Sequence, residues 1–298
     1  MCVQRLHYDA QVNRAYTRAV SQSGDEVRAI FMRDRLWPLG SELTVSFIYT
    51  STQPKWYALD LVERAVPQSD MDIERKVRGM KLDDAVEYIV MQKVQPEVPG
   101  VTFKFLRDGT PGKIRVRLTD GGGASSLIGV ECLSVPAEEH TITFGWMDVG
   151  TVMHEFSHAL GMLHEHQNPR GGIQWNRPVV YEWAQRTQGW DQETTDTNIL
   201  DAYSLNQITG STFDPRSVML YFFPPELTLN HQGTSQNFRY SATDKAWLNA
   251  QYPLHGPRTA PAASAAAGTS SRNPIPMGWM IAAIAAAVII ILALILKV

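Results

Sequence analysis

The most informative stretch of this chain is the segment HEFSHALGMLHEH, which begins at His154. One helical turn separates His154 from His158, so a helix presents both imidazoles on one face, where they can bind a single metal ion. Glu155 follows His154 directly and points about 100° away around the helix axis. It can therefore act on a metal-bound water without being a ligand itself. The pattern predicts a helix that carries a metal site.

A third histidine completes the pattern. A continuous helix would carry His164 away from the face of the first two histidines, but Gly161 lies before it. Glycine permits a helix to end in a left-handed conformation, and a sharp turn there would bring His164 back to the metal. Three neutral imidazoles with an open position are typical of a catalytic zinc site. A helix with surface histidines would explain neither Gly161 nor the position of Glu155.

The same segment carries a family resemblance. It matches the HExxHxxGxxHE signature of the metzincin peptidases, and Glu165 after the third histidine resembles the astacin branch. Further along, the stretch SVMLY that begins at Ser217 resembles the Met-turn of astacins. The family has the methionine beneath the zinc and the tyrosine beside it, which by resemblance gives Met219 and Tyr221 these roles. Leu220 replaces the usual histidine, at what we expect to be a packing position.

The similarity covers residues 35–253. The blocks that resemble microbial astacin-like peptidases are LWPLGSELTVSF, GGGASSLIG, HEHQNPRGGIQW, FDPRSVMLYFFPPELT and SATDKAWLNAQYP. The resemblance implies an α+β, metzincin-like zincin fold, with a twisted mixed sheet, an active-site helix and a loop-rich C-terminal lobe. We therefore expect residues 35–253 to form one metallopeptidase domain.

The resemblance also implies a function, that of a zinc-dependent metalloendopeptidase acting on proteins or peptides. One catalytic zinc ion would be held by His154, His158 and His164. Glu155 would act as general base and then as general acid, and Tyr221 would hydrogen-bond the oxyanion. The rival interpretation is a membrane-tethered zinc-binding protein that is latent or does not cut. Loss of the glutamate would have favoured it, and the glutamate is present.

The C-terminus predicts a membrane anchor. Residues 277–296 contain 20 residues without a charge, and a helix of that length spans about 30 Å, the thickness of the hydrocarbon core. The preceding residues 254–276 are rich in Pro, Ala and Ser and predict a flexible linker. A buried helix, a glycolipid-anchor signal and removal of the segment are the alternatives. Arg272 and Lys297 flank the span too evenly to predict which side of the membrane holds the body.

Residues 1–34 are predicted to be an N-terminal extension that could act as a short pro-segment. They contain no apolar stretch typical of a secretory signal peptide. Either the protein is made without one, or the first exon is missing from the gene model. Two cysteines, Cys2 and Cys132, cannot make a disulfide framework. Cys2 could cap the zinc as a thiolate. A formal net charge of -3 without a Lys/Arg cluster argues against nucleic-acid binding.

Local patterns predict the secondary structure around these motifs. The expected strands are 43–49, 101–106, 113–118 and 141–147, and the expected helices are 55–66, 70–94, 150–163, 177–187 and 242–250. Asp108-Gly109 and Pro111-Gly112 predict a turn between the second and third strands. Strand 141–147 either offers an edge on which an extended substrate pairs or lies inside the sheet.

Other candidates have two interpretations each. His166 either supports the third metal ligand or lies on the surface. The remaining histidines have no matching partners and are interpreted as structural or exposed: His7, His140, His231 and His255. For a group of aromatic residues near helical spacing, core packing is favoured over a platform for substrate: Trp175, Tyr181, Trp183 and Trp190.

Overall fold

The computed structural model describes residues 29–56, 68–210 and 212–258, which form the predicted α+β fold. The strands are β1 (Phe31–Met32), β2 (Glu42–Tyr49), β3 (Lys55–Trp56), β4 (Thr102–Phe105), β5 (Ile114–Leu118), β6 (Ala124–Ser126), β7 (Ile142–Phe144), β8 (Trp146–Met147) and β9 (Ile208–Thr209). The helices are α1 (Gln68–Val77), α2 (Leu82–Ile89), α3 (Val149–Ala159), α4 (Arg177–Gln188), α5 (Gln192–Thr195) and α6 (Ala242–Gln251).

The main sheet has the strand order β4-β2-β5-β7-β6. β4 and β5 both run parallel to β2, β7 runs parallel to β5, and β6 runs antiparallel to β7 along the edge. The sheet is mixed, as predicted. β4 and β5 pair with β2 and not with each other. The register explains this arrangement. Phe105 at the end of β4 and Ile114 at the start of β5 lie opposite Val45, on the two sides of β2, so the turn between them crosses β2 and does not reverse the chain.

The strand predicted at 141–147 is divided in two. β7 lies inside the sheet, between β5 and β6, while β8 pairs with β3 in a separate two-stranded sheet. Gly145 separates them, and a Cβ there would lie 2.1 Å from the carbonyl oxygen of Gly121. The interior alternative is therefore confirmed for β7. The antiparallel edge belongs to β6, which the sequence analysis did not identify as a strand.

Two helix predictions need correction. Lys55 and Trp56 form β3 instead of the start of a helix, because they pair with β8, and residues 57–67 lie outside the described ranges. The run 70–94 is two helices separated around Gly79, with a π-helical turn continuing α2 through residues 90–94. Glycine weakens a helix by about 1 kcal/mol relative to alanine, which favours a break at this point.

The main core lies between the sheet and helices α2 and α3. Its members are buried apolar side chains from the strands and from one face of each helix, including Leu43, Val45, Val116, Leu118, Phe144, Val86, Ile89, Val152 and Phe156. Phe103 and Phe156 meet edge to face, with ring centroids 5.8 Å apart. This packing holds α3 against the sheet and so orients the helix that carries the first two histidines.

A second, smaller core stabilises the loop-rich C-terminal lobe. It contains Trp183 and Trp190 as buried members, with Trp175 and Tyr181 packed against them. The core-packing interpretation of these four aromatic residues is confirmed. Phe223 joins the same cluster and is fully buried.

The folded body begins before residue 35. Ala29, Ile30 and Phe31 are fully buried, and β1 pairs antiparallel with β9. Phe31 also bridges to Met162, just beyond the active-site helix. Residues 29–34, predicted to belong to the N-terminal extension, thus form part of the body. Cys2 lies outside the described residues.

At the other end, the first residues of the predicted linker contact the body. The guanidinium of Arg258 donates to the carbonyl oxygens of Trp37 and Gln251. Residues 277–296, the predicted membrane anchor, lie outside the described ranges. Within those ranges, none of the helices combines the length and the apolar character that crossing a membrane requires.

Candidate active site

Helix α3 positions the first two histidines. Asp148 caps its N-terminus, accepting a hydrogen bond from the backbone N–H of Thr151 (2.7 Å) and another from its hydroxyl (2.9 Å). At the other end Gly161 has φ +95° and its N–H donates to the carbonyl of His158 (2.7 Å). The glycine ends the helix as predicted, because the positive φ turns the chain back toward the ligand face.

The structure brings the three predicted histidines together. The Nε2 atom of His164 lies 3.3 Å from that of His154 and 3.0 Å from that of His158. All three side chains are buried. Their ring nitrogens lie within 4.8 Å of one another. Among the described residues, these three histidines form the group whose side chains are close enough together to hold one metal ion.

Backbone carbonyls orient two of these rings. Nδ1 of His154 donates to the carbonyl of Val218 (2.8 Å), and Nδ1 of His158 donates to the carbonyl of Met162 (2.8 Å). A neutral imidazole carries one N–H, so these two hydrogen bonds leave Nε2 bare on both rings. Their lone pairs therefore face the centre of the cluster, which is the arrangement that a metal ligand requires.

The spacing of these nitrogens fits zinc. Two Zn–N bonds of about 2.05 Å at a tetrahedral angle place their nitrogens about 3.3 Å apart, close to the 3.0 and 3.3 Å observed. Burial lowers the pKa of His154 to about 4 and those of His158 and His164 well below the ordinary value, so the rings are neutral, as zinc binding requires.

The SVMLY segment contacts this cluster through Val218 and Tyr221. Val218 provides the carbonyl that orients His154, and Met219 is fully buried, with its carbonyl accepting from the N–H of Glu165 (3.0 Å). Leu220 is buried, as expected of a packing position. The ring of Tyr221 lies beside the cluster, its centroid 4.3 Å from that of His164.

Asp244 stabilises this turn from helix α6. Its carboxylate accepts from the hydroxyl of Ser217 (2.7 Å), the N–H of Val218 (3.0 Å) and the N–H of Ser241 (3.0 Å). Burial raises the pKa of Asp244 to about 6. The sequence contains one signal for this residue, because Ser241 and Asp244 form a capping box. The spacing marks a helix start and says nothing about the site, so sequence reasoning missed Asp244.

The comparisons with known proteins agree with this geometry. Residues 89–224 match the model of the peptidase family described as Astacin. The structure is similar to that of myroilysin, with 31% sequence identity, a TM-score of 0.57, and coverage of 75% of this chain and 98% of that chain. The chain belongs to the astacin family. It is therefore a zinc metalloendopeptidase, which acts on proteins or peptides.

The structure is also similar to that of a hatching enzyme zinc-protease from the medaka fish Oryzias latipes, with 14% identity, a TM-score of 0.41, and coverage of 78% of this chain and 100% of that chain. A search of the curated proteins found no match. The comparisons do not favour the rival interpretation of a zinc-binding protein that does not cut.

Two glutamates of the astacin signature are deeply buried. Glu155 is fully buried beside His154 on α3. Glu165 has one carboxylate oxygen, Oε1, that accepts from the side-chain amide of Asn168 (2.9 Å) and the N–H of Asp214 (2.9 Å). Burial outweighs these hydrogen bonds and raises the pKa of Glu165 to about 8. Glu165 follows His164 directly, so its hydrogen bond from Asp214 links the third histidine to the segment that leads into the SVMLY turn.

His166 is buried next to the cluster, so the surface alternative is excluded. Burial lowers its pKa to about 4, and its Nε2 lies 3.0 Å from the carbonyl oxygen of Asn198. Two other described histidines show no such arrangement, because His231 and His255 are exposed. Sequence spacing placed His166 beside His164, the third histidine of the motif, but could not predict the residues that surround it.

Proposed function

We propose that His154, His158 and His164 hold the catalytic zinc and that Glu155 and Tyr221 carry out peptide-bond hydrolysis with it. The observation that carries this proposal is the convergence of three buried, neutral imidazoles, two of which have their Nε2 atoms left bare by backbone hydrogen bonds at Nδ1. When bound, zinc supplies a Lewis acid that makes water more acidic and polarises a carbonyl.

Glu155 moves the proton in this proposal. Its carboxylate accepts a proton from the attacking water and returns it to the nitrogen of the leaving amine, so the amide and one water become a carboxylic acid and an amine. The support is its place in the helix, directly after His154 and fully buried in the same element. A buried carboxylate keeps proton transfer away from bulk solvent.

Tyr221 acts on the other charge that develops. Its phenolic O–H donates a hydrogen bond to the oxyanion formed when water adds to the peptide carbonyl. The closeness of its ring to His164, 4.3 Å between centroids, supports this role. The edge strand β6, which ends the main sheet, offers backbone groups on which an extended substrate could pair as an added strand.

Cleavage of casein by the full chain, purified in mild detergent and loaded with zinc, tests the proposal. We expect the wild type to cut and Glu155→Gln to be inactive with zinc still bound at one ion per chain. Tyr221→Phe should lower kcat by about 10²–10³-fold with little change in stability. Full activity of Glu155→Gln would refute its role as the base, and full activity of Tyr221→Phe would refute the role of the phenol.

We also propose that residues 277–296 anchor the protein in a membrane by a single C-terminal span, with residues 254–276 as the tether. The uncharged apolar run and the composition of the tether support this. The full chain should stay with membranes after an alkaline carbonate wash, whereas a chain ending at residue 258 should be released. Release of the full chain with its C-terminus intact would refute the anchor, and mass spectrometry would detect a processed tail.

A further inference from the structure

The buried ring of His166 has no role in the mechanism above, yet it contacts the groups that do. Its centroid lies 4.8 Å from that of Tyr221, and the two rings are within 26° of parallel. The His164 ring lies 4.3 Å from Tyr221 and 5.2 Å from His166. The three rings therefore form one mutually packed cluster, with Tyr221 contacting a predicted metal ligand and His166 at once.

His166 is itself held in place. Its Nε2 donates a hydrogen bond to the carbonyl of Asn198 (3.0 Å), in the π-helical turn Asp196–Leu200 of the C-terminal lobe. Its ring also meets Phe223 edge to face, with centroids 5.1 Å apart, and Phe223 is fully buried. A ring fixed by a hydrogen bond and an edge contact is a rigid surface on which another ring can rest.

Tyr221 needs such a surface, because it is less buried than its neighbours and its ring is only partly enclosed. An oxyanion donor must lie about 2.7–3.1 Å from the developing charge. A misplacement of about 1 Å can cost on the order of 10²-fold in rate. The position of the phenol thus depends on what its ring packs against.

We propose that His166 is a positioning residue, whose ring holds the phenol of Tyr221 in place beside the three-histidine cluster. This inference rests on the proposed role of Tyr221 in the reaction. His166 thereby links the C-terminal lobe, through the carbonyl of Asn198, to the placement of the oxyanion donor.

A double-mutant cycle in the full-length, zinc-loaded chain tests the coupling. We expect His166→Ala to lower kcat about tenfold with KM within about twofold, since an aromatic pair contributes about one tenfold step. His166→Phe, which keeps a flat ring, should stay within about threefold of the wild type. In the Tyr221→Phe background, His166→Ala should cause no further loss, because the donor that it positions is already absent.

Trp175→Leu is the matched control. Trp175 meets Phe223 with centroids 4.8 Å apart, so this variant removes another ring from the same lobe. It should lower the melting temperature while leaving kcat unchanged. An equal loss of kcat for His166→Ala with and without the Tyr221 hydroxyl would overturn the proposal, as would an equal loss in Trp175→Leu.

A second readout does not depend on activity. Tyr221 is replaced by 3-fluorotyrosine in the zinc-free full chain, and the ¹⁹F resonance is compared between variants. We expect one shifted resonance in the wild-type and His166→Phe backgrounds, and movement toward the free amino-acid position in His166→Ala. An identical resonance in all three would overturn the inference. If the wild type does not cleave casein, the proposed function fails, while this measurement still decides whether His166 positions Tyr221.

Discussion

Gly161→Ala tests how the backbone builds the histidine cluster. Gly161 has φ +95°, and a Cβ at this position would lie 2.9 Å from Cδ2 of Leu36. Its N–H donates to the carbonyl of His158, and its own carbonyl accepts from the N–H of Met32 (3.0 Å). These contacts hold the turn from both sides, so an added methyl group cannot be relieved by moving the backbone freely.

The cost follows from two terms. A non-glycine residue in the left-handed region loses about 1–2 kcal/mol. The φ of +95° at Gly161 is well beyond the usual value near +57°, which places this position toward the upper end. Displacing the methyl of Leu36 from its preferred rotamer adds about 0.5–1.5 kcal/mol. The sum is about 2.5–3.5 kcal/mol, which lowers the melting temperature of a domain of this size by about 5–14 °C.

Gly189 offers the matched control. It follows helix α4 with φ +69°, and nothing lies within 4 Å of the Cβ that alanine would add. Gly189→Ala should therefore cost only the backbone strain, about 1 kcal/mol. Thermal unfolding of both variants, with and without zinc, measures the difference, and a zinc titration reports whether His164 still reaches the ion. If Gly161→Ala is no more destabilising than Gly189→Ala and binds zinc normally, the reasoning is refuted.

Three further predictions concern the supports of the site. Burial raises the pKa of Asp148 from 3.8 to about 6, so the unfolded chain loses this proton first and stability falls by about 3 kcal/mol as the pH rises between these values. Asp148→Asn keeps the helix cap and should remove this fall, and an unchanged pH profile of thermal unfolding would contradict it. Asp244→Ala leaves the donors of Ser217 and Val218 without their acceptor, so it should lower the free energy of unfolding by about 3–5 kcal/mol and weaken zinc binding in a titration. Unchanged zinc affinity would show that the turn holds its shape without the carboxylate. In a sample whose free zinc concentration is about 1,000 times the dissociation constant, removing zinc with a chelator should lower the free energy of unfolding by about 4 kcal/mol. Calorimetry measures this loss, and an unchanged melting temperature would mean that the ion does not bind the folded state preferentially.

Much of the fold was predictable because its signals are local. Helices α4 and α6 and strands β2, β4 and β5 agree closely with the predicted ranges, since each has a clear apolar period or cap signal. Helix α3 begins within one residue of its prediction but ends at Ala159 instead of residue 163, because Gly161 turns the chain. The errors in the strands have a common origin in pairing. β3 and β6 have two and three residues, too short for a period to be recognised, and they exist only because β8 and β7 lie beside them.

The chemistry of the site can be predicted from a short stretch of sequence. The spacing of His154, His158 and His164 around Gly161 follows from helix geometry and from the φ that glycine alone adopts easily, so it can be derived without knowledge of the rest of the chain. The groups that hold these side chains in place become known only from the folded chain. The carbonyl of Val218 and the carboxylate of Asp244 come from segments far along the chain from the active-site helix. Long-range contacts of this kind depend on how packed elements meet, which no local pattern specifies.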